Sequence, residues 1–179
     1  MDPHGPGFEW RNELPIPGVR CVTSGERKLI AGVKVRRLPA LPDERGALTE
    51  ILRSDDPEYP RFGQVYMTST YPGVVKAWHS HDRQADMICC VSGDLKLALY
   101  DGREGSATQG MVNEVFLGDS NRLIVKVPSG IYHGWKCVGE RAALVINIPD
   151  QVYNYSAPDE HRRDPHDADI PYDWARRDG

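Results

Sequence analysis

The chain has 179 residues and a formal net charge of -4 at pH 7, and 27% of its residues are charged. This length suits one substantial core, and the scattered lysines and arginines exclude a general nucleic-acid surface, although a few placed cations could hold a phosphorylated small molecule. The first residues lack the segments of a secretory signal and no apolar stretch approaches a membrane span, so we expect a cytoplasmic protein without membrane contact.

Short β-type runs divided by turn residues dominate the chain after an irregular start. Residues 1–30 are rich in proline and glycine, which predicts an N-terminal arm packed outside the main domain. The ten predicted strands cover residues 33–38, 47–53, 63–70, 74–81, 86–92, 94–101, 112–118, 122–127, 132–138 and 142–149. Within residues 94–101, Leu95, Leu97 and Leu99 share one face, the period of a half-buried strand. The pattern predicts one all-β sandwich or barrel over residues 31–150.

The C-terminal tail, residues 151–179, is polar but carries aromatic side chains that can anchor it. They are Tyr153, Tyr155, Tyr172 and Trp174. Buried tyrosine and tryptophan combine a large apolar ring with one polar atom, which suits them to this role. We therefore predict that the irregular tail packs on the barrel without forming a second core.

The stretch from Gly73 to Gly93 contains the candidate site. Successive side chains of a strand alternate between its faces, so His79 and His81 point the same way. Asp86 follows and begins a continuous apolar run that ends at Ser92. Two imidazoles and a carboxylate on neighbouring strands are residue types that serve proton transfer or metal binding.

Two segments of the chain resemble the motifs of the cupin superfamily. The first motif, with Asp in place of its usual Glu, is matched by Gly73, His79, His81, Asp86 and Gly93. Residues 128–133, PSGIYH, resemble the core of the second motif. This resemblance implies a single cupin jelly-roll barrel in which four side chains converge at the mouth. These are His79, His81, Asp86 and His133.

A narrower resemblance covers nearly the whole chain from residue 33. The matching segments are residues 43–46 with Glu50, 76–79, 84–85, 100–103 with Ser106, Thr108 and Gly110, 128–135, 153–160 and 170–174. Their order resembles that of the dTDP-4-dehydrorhamnose 3,5-epimerase family. The resemblance implies a nucleotide-linked 4-keto sugar as substrate, and a homodimer in which a strand or arm of one subunit borders the other's site. We expect no organic cofactor.

The family's reaction removes a proton from a carbon beside a ketone and returns one from the opposite face, so it needs a base, an acid and enolate stabilisation. By the resemblance, His79 is the base and Tyr155 is the opposing acid, with Tyr153 as the alternative. A tail carboxylate, Asp167 or Asp164, is expected to orient the imidazole of His79.

The resemblance also implies that Lys76 is a catalytic residue and that other residues bind the substrate. Lys76 is expected to meet phosphate or enolate oxygen, but its strand parity is opposite to that of His79, so sharing the pocket requires a bulge or an edge position. The expected substrate-binding residues are Arg45, Glu50, Gln64, Gln84, Arg103 and His133.

Two departures from the epimerase pattern favour metal ligation. The family usually has Gln where this chain has His81, and Lys where it has Asp86. A lysine repels a dication and an aspartate attracts it. The alternative prediction is therefore a metal-dependent cupin isomerase, lyase or oxygenase acting on a small polar substrate. A non-catalytic sugar-binding cupin is a third interpretation.

The predicted ion is one divalent transition metal, Zn, Fe, Ni, Mn or Co. Its predicted ligands are His79, His81, Asp86 and His133. A bound metal would occupy His79 and prevent it from acting as a base. The competing interpretation is that His81 and Asp86 only hydrogen-bond each other and hold His79 in place.

Overall fold

The computed structural model describes residues 9–23, 28–59 and 61–178. The regular elements are β1 (Val19–Cys21), β2 (Lys34–Arg37), β3 (Leu41–Asp43), β4 (Gly46–Leu48), β5 (Tyr66–Thr70), β6 (Val75–Ser80), β7 (Asp86–Ser92), β8 (Asp94–Asp101), β9 (Val112–Gly118), β10 (Leu123–Val127), β11 (Ile131–Cys137), β12 (Ala143–Asn147) and β13 (His161–Arg162). No described segment is helical, which confirms the prediction of an all-β chain. None of these residues therefore forms a helix with the length and apolarity needed to cross a membrane.

Two antiparallel sheets form the body of the molecule. The six-stranded sheet has the order β1-β9-β8-β11-β6-β13, and the five-stranded sheet has the order β2-β10-β7-β12-β5. Consecutive strands such as β6 and β7 lie in different sheets, so the chain repeatedly crosses from one sheet to the other. This is a jelly-roll sandwich, and the predicted cupin-type fold is confirmed.

Strand β8 shows how the sequence period becomes a core. Leu95, Leu97 and Leu99 are fully buried between the sheets, as their alternation predicts. The opposite face of β8 is also covered, because the ammonium group of Lys96 donates to the backbone carbonyls of Trp174 and Ala175 at 3.3 and 3.1 Å. The strand is thus buried on both faces, and its polar outer residue is satisfied by the tail.

Residues of the C-terminal tail pack an aromatic cluster against the outer face of the six-stranded sheet. The rings of Trp78 and Trp174 are 5.0 Å apart, and both residues are at most 2% exposed. The indole of Trp174 donates to the carbonyl of Pro165 at 3.0 Å, and the hydroxyl of Tyr172 donates to Glu114 at 2.5 Å. The tail therefore combines apolar burial with satisfied polar atoms.

The described part of the predicted arm, residues 1–30, lies partly inside the sandwich. Strand β1 pairs with β9 at the edge of the six-stranded sheet, and Ile16 and Ile30 belong to the main core. This differs from an arm packed outside the barrel. The contributions are one strand of three residues and single apolar side chains, which are too short to produce a visible period. Residues 1–8 and 24–27 lie outside the described residues.

The strand predicted over residues 47–53 is mostly absent. Strand β4 ends at Leu48 and pairs only with β3, so the two form a separate hairpin. Ile51 and Leu52 lie outside any strand and pack on a small cluster that includes Met87 and Ile124. Their apolar character reflects this packing and not a place in a sheet.

Candidate functional site

A bulge in β6 brings Lys76 and His79 to the same cavity. His79 lies opposite His133 of β11, whereas Lys76 lies opposite Trp135, so β6 uses one residue more than β11 over this stretch. The extra residue reverses the alternation, which the opposite strand parity of Lys76 and His79 requires if both are to face one cavity. Gly134 provides the space, because a β-carbon there would lie 2.3 Å from the β-carbon of Ala77.

The cavity has a volume of about 360 Å³ and lies between β5 of one sheet and β6 of the other. Its polar lining residues are Tyr66, Thr68, Lys76, His79, Glu160 and Arg162. The ammonium group of Lys76 donates to the hydroxyl of Thr68 at 2.9 Å. Two cations and one carboxylate thus surround the imidazole of His79, a setting suited to a polar and negatively charged ligand.

Three histidines and one aspartate converge beside this cavity. One ligand atom from each of His79, His81, Asp86 and His133 lies within 4.8 Å of the others. The strands explain this convergence, since β6 carries His79, β7 begins at Asp86, and His133 of β11 pairs with His79. The four side chains therefore form one cluster, as the cupin resemblance implies.

Backbone carbonyls fix the tautomers of two of these histidines. Nδ1 of His81 contacts the carbonyl oxygen of Asp159, and Nδ1 of His133 lies 3.0 Å from that of Ile131. A carbonyl only accepts, so both Nδ1 atoms carry hydrogen and donate it. In the neutral imidazoles, Nε2 of His81 accepts a hydrogen bond from the side-chain amide of Gln84 at 3.2 Å and lies 3.3 Å from Asp86. Nε2 of His133 presents its lone pair to Asp86 at 3.1 Å.

The two oxygens of Asp86 have different surroundings. Oδ1 accepts hydrogen bonds from the side-chain amides of Gln84 and Asn147, each at 2.9 Å. Oδ2 faces the Nε2 atoms of His81 and His133. Oδ2 and the Nε2 atom of His133 are buried and have no hydrogen-bond partner among the described residues. Facing lone pairs repel each other, so this point of the cluster requires a proton or a metal ion.

The electrostatics place a neutral imidazole beside an ionised carboxylate. Burial, followed by the neighbouring His133, lowers the pKa of His79 well below its usual value, so this ring is unprotonated at pH 7. Burial opposes ionisation of Asp86, but its interactions with His133 and His81 outweigh burial and lower the pKa of that carboxyl. Burial also opposes protonation of His81, yet contact with Asp86 raises its pKa overall. The imidazole of His79 is therefore neutral at pH 7 and keeps a lone pair that can accept a proton.

Two predicted substrate-binding residues support the structure and do not line the cavity. Gln84 is 6% exposed and holds Asp86 in place. Arg103 donates to the buried carboxylate of Asp101 at 2.8 and 2.9 Å and to the carbonyl of Ala31. Burial opposes ionisation of Asp101, but bonds from Arg103 and neighbouring hydroxyls outweigh it and lower the pKa to about 2. Arg103 thus anchors a loop.

The predicted tail residues do not belong to the described lining of the cavity around His79. Asp167 accepts a hydrogen bond from Arg163 at 2.6 Å, and among the described residues no hydrogen bond joins Asp167 or Asp164 to His79. Tyr155 is 89% exposed, and its ring packs against Tyr153. Neither tyrosine is part of the described cavity lining.

Three further predicted substrate-binding residues lie outside the described lining of the cavity. Gln64 accepts a hydrogen bond from the backbone amide of Tyr153 at 3.2 Å. Arg45 is paired with Asp43 in the exposed hairpin of β3 and β4, and Glu50 lies 3.7 Å from Arg53. Their substrate-binding roles stay predictions.

Several residues of the site were not predicted from the sequence. They are Tyr66, Asn147, Asp159, Glu160 and Arg162. The sequence does contain a pattern that indicates Asn147, because a polar residue within the apolar run of residues 142–149 predicts a buried hydrogen bond. No sequence pattern indicates the contact between Asp159 and His81, because the backbone carbonyl of Asp159 makes it.

Comparison with known proteins gives a consistent result. The family model described as dTDP-4-dehydrorhamnose 3,5-epimerase matches residues 27–178. The chain is 42% identical over 146 residues to the probable low-salt glycan biosynthesis epimerase Agl13 of Haloferax volcanii, covering 80% of this chain and 89% of that protein. It is 36% identical over 146 residues to the spore coat polysaccharide biosynthesis protein SpsL of Bacillus subtilis, covering 82% and 97%.

A solved structure agrees with these relatives. The crystal structure of a dTDP sugar isomerase from Desulfovibrio desulfuricans is similar with a TM-score of 0.78 and 31% identity, covering 83% of this chain and 94% of that chain. The similarity thus extends over sequence and fold alike, through the strands that carry the site. The chain therefore belongs to the dTDP-4-dehydrorhamnose 3,5-epimerase family.

Proposed function

We propose that this protein epimerises a nucleotide-linked 4-keto sugar, with His79 as the base that removes a proton from a carbon beside the ketone. The observation that carries the proposal is the position of His79. Its imidazole lines the cavity, its pKa is lowered by burial, and no described residue hydrogen-bonds its ring nitrogens. A neutral, accessible imidazole is what proton abstraction requires. The family comparisons support this reaction over the alternative metal-dependent chemistry on a small polar substrate.

The charges around the cavity agree with such a substrate. Lys76 lies on the same face as His79, where an ammonium group stabilises the negative oxygen of an enolate or contacts phosphate. Arg162 is paired with Glu160 at the edge of the cavity and is 77% exposed, so its guanidinium is available to a diphosphate. We therefore assign enolate stabilisation to Lys76 and nucleotide binding to Arg162.

Hydrogen exchange in deuterated water tests this proposal directly. The purified protein is incubated with a panel of dTDP-linked and UDP-linked 4-keto-6-deoxy sugars, including dTDP-4-keto-L-rhamnose. We expect deuterium to enter the carbon beside the ketone with at least one sugar, because abstraction followed by return of a solvent-derived proton labels that carbon. If the protein is folded and labels no member of the panel, the proposed reaction is wrong.

We also propose that the protein is a homodimer. Strand β5 is the outer strand of its sheet, and its neighbouring outward side chains Val65 and Met67 are 54% and 62% exposed. An exposed apolar edge strand is a ready surface for pairing with another chain. The hairpin of β3 and β4 also projects from the sandwich, with Arg45 84% exposed, and suits contact with a second subunit's site.

Light scattering tests the dimer. We expect the mass of two chains for the wild type and a shift towards one chain for Met67→Lys, since a charge on the apolar edge opposes pairing. Arg61→Lys is the control, because it keeps the charge at an exposed position outside β5 and should leave the mass unaltered. A monomeric wild type contradicts the proposal.

A second arrangement of the same site is favoured by the unpaired atoms of Asp86 and His133. These residues, with His79 and His81, fit one divalent transition metal such as Zn, Fe, Ni, Mn or Co. Atoms bound about 2.0–2.1 Å from a tetrahedral zinc lie about 3.4 Å apart, close to the 3.1 and 3.3 Å observed here. Carbonyl contacts to the outer nitrogens of His81 and His133 are typical of metal-bound histidines.

In this second arrangement, the ion would supply Lewis-acid stabilisation of an enolate oxygen. His79 would have no lone pair left for a proton, so the two roles of His79 exclude each other. Elemental analysis of protein purified without a histidine tag separates them. If His79→Asn retains about one ion per chain, three ligands suffice and His79 is free to act as the base.

The metal arrangement predicts about one ion per chain in the wild type and its loss in His81→Ala. His161→Ala is the matched control, because His161 pairs with Asp82 at the surface and lies outside the cluster. Well under one ion per chain, together with unchanged thermal stability after chelation, contradicts the metal site.

A further inference from the structure

Residues 160–162 of the tail form one wall of the cavity, here called the tail wall. Glu160 and Arg162 both line the cavity, since residues two positions apart in an extended segment share a face. The tail wall includes β13, which has two residues and lies at the edge of the six-stranded sheet. Residues 152–158, which precede it, are all exposed. A segment with so little packing needs a further anchor to stay in place.

Asp159 provides an anchor directly before the tail wall. Its Oδ1 atom accepts a hydrogen bond from the backbone amide of Asp82, and its Oδ2 atom accepts from those of Arg83 and Gln84, each at 3.0 Å. Three successive amides that converge on one carboxylate form an anion-binding nest. Only 17% of the Asp159 side chain is exposed. The carboxylate therefore fixes the start of the tail wall to the loop between β6 and β7.

The backbone of Asp159 adds a second connection to the same loop. Its carbonyl oxygen accepts the Nδ1 hydrogen of His81, the first residue after β6. Burial opposes ionisation of the Asp159 side chain, but the three amide hydrogen bonds outweigh burial and lower its pKa, so the carboxylate is charged at pH 7. Hydrogen bonds to a charged acceptor are roughly twice as strong as those between neutral groups.

The ion pairs between the tail and this loop are weaker anchors. His161 lies 2.9 Å from Asp82, but the two side chains are 53% and 71% exposed. Arg83 lies 4.0 Å from Asp159 and is 76% exposed. Exposed pairs of this kind contribute little to stability. Among the described contacts between the tail and the loop, the hydrogen bonds of Asp159 are therefore the ones best suited to hold the tail wall.

We propose that Asp159 is a positioning residue that holds the tail wall in place and thereby orients the guanidinium of Arg162. The inference rests on the proposed function, in which Arg162 binds the diphosphate of a nucleotide sugar. A guanidinium contacts phosphate oxygens with a defined geometry, so its backbone must be fixed before the ligand arrives. Without the three hydrogen bonds, the tail wall becomes ordered only when the substrate binds, and the entropy lost then weakens binding.

Replacing Asp159 with alanine separates positioning from folding. Initial rates of deuterium exchange give KM and kcat for the panel sugar that the wild type labels most strongly. We expect KM to rise about 10-fold, the effect of losing one hydrogen bond to a charged group. We expect kcat to stay within about threefold of the wild-type value, because the lost interaction serves binding and not the chemical step. A purely structural role would instead lower kcat in proportion to the folded fraction and leave KM unaltered.

A double-mutant cycle with Arg162→Ala shows whether Asp159 acts through the guanidinium. Arg162→Ala should itself raise KM about 10-fold. Adding Asp159→Ala should then change KM by no more than about twofold, because the group that it positions is already gone. Asp119→Ala is the matched control, since Asp119 also accepts a hydrogen bond from a turn amide, that of Gly93 at 2.7 Å, but lies outside the described cavity lining. It should keep the wild-type KM.

An unchanged KM in Asp159→Ala overturns the assignment of Asp159 alone, as does a fall in kcat without a rise in KM. Additive effects of Asp159→Ala and Arg162→Ala also overturn it, because Asp159 would then act independently of the guanidinium. A folded wild type that labels no sugar overturns the proposed function, and this inference with it.

Discussion

Replacing His79 with asparagine is expected to lower deuterium exchange at the carbon beside the ketone by about 10²- to 10⁴-fold. Asparagine keeps a polar side chain of similar reach but has no basic nitrogen. Within the described cavity lining, Glu160 provides the carboxyl group, and it is already paired with Arg162. No neutral imidazole remains there to begin the reaction, so exchange and inversion should fall together.

Exchange followed by NMR, with the sugar that the wild type labels most strongly, measures this effect. His166→Asn is the matched control, because His166 is exposed in the tail and lies outside the cavity lining. It should retain wild-type exchange. Thermal unfolding of both variants reports whether the fold is intact. Wild-type exchange in a folded His79→Asn protein would remove His79 from the reaction.

Replacing Trp174 with alanine is expected to destabilise the protein by about 3–5 kcal/mol, the usual loss when a buried tryptophan is truncated. Trp174 is 2% exposed and packs against Trp78 and Tyr172, with ring centroids 5.0 and 4.7 Å away. The change opens a cavity beneath the tail and removes the hydrogen bond to Pro165. It also weakens the tail's cover over Trp78, which neighbours His79 in β6.

Urea unfolding followed by circular dichroism measures the loss of stability. Tyr155→Ala is a matched control, since it removes another aromatic ring of the tail from a position that is 89% exposed. That variant should differ from the wild type by about 0.5 kcal/mol or less. If Trp174→Ala unfolds at the same urea concentration as Tyr155→Ala, the tail is not an integral part of the packed structure.

The sequence predicted those features that depend on short-range patterns. The alternation of Leu95, Leu97 and Leu99 predicts a buried strand face, and the spacing of His79 and His81 predicts their shared side. These patterns need only the geometry of one strand. The convergence of His79 and His81 with His133 could not be predicted from the spacing within one strand. It was implied by the resemblance to cupins.

The features that could not be predicted depend on pairing between distant strands. Lys76 reaches the cavity only because Gly134 of another strand gives room for the bulge in β6. Tyr66 and Asn147 meet across 81 positions of sequence through the pairing of β5 with β12. Arg103 matched a family pattern, but its guanidinium binds Asp101, a contact that the order of motifs does not reveal.

The carbonyl contacts of His81 and His133 limit what alanine scanning can show about this site. The oxygen atoms that fix the two tautomers belong to the backbone at Asp159 and Ile131. Alanine at either position keeps the carbonyl, so a scan there reports on the side chains and leaves the orienting atom in place. The path of the chain sets the direction of each imidazole. Amide-to-ester replacement, which alters the carbonyl itself, is the kind of change that reaches these atoms.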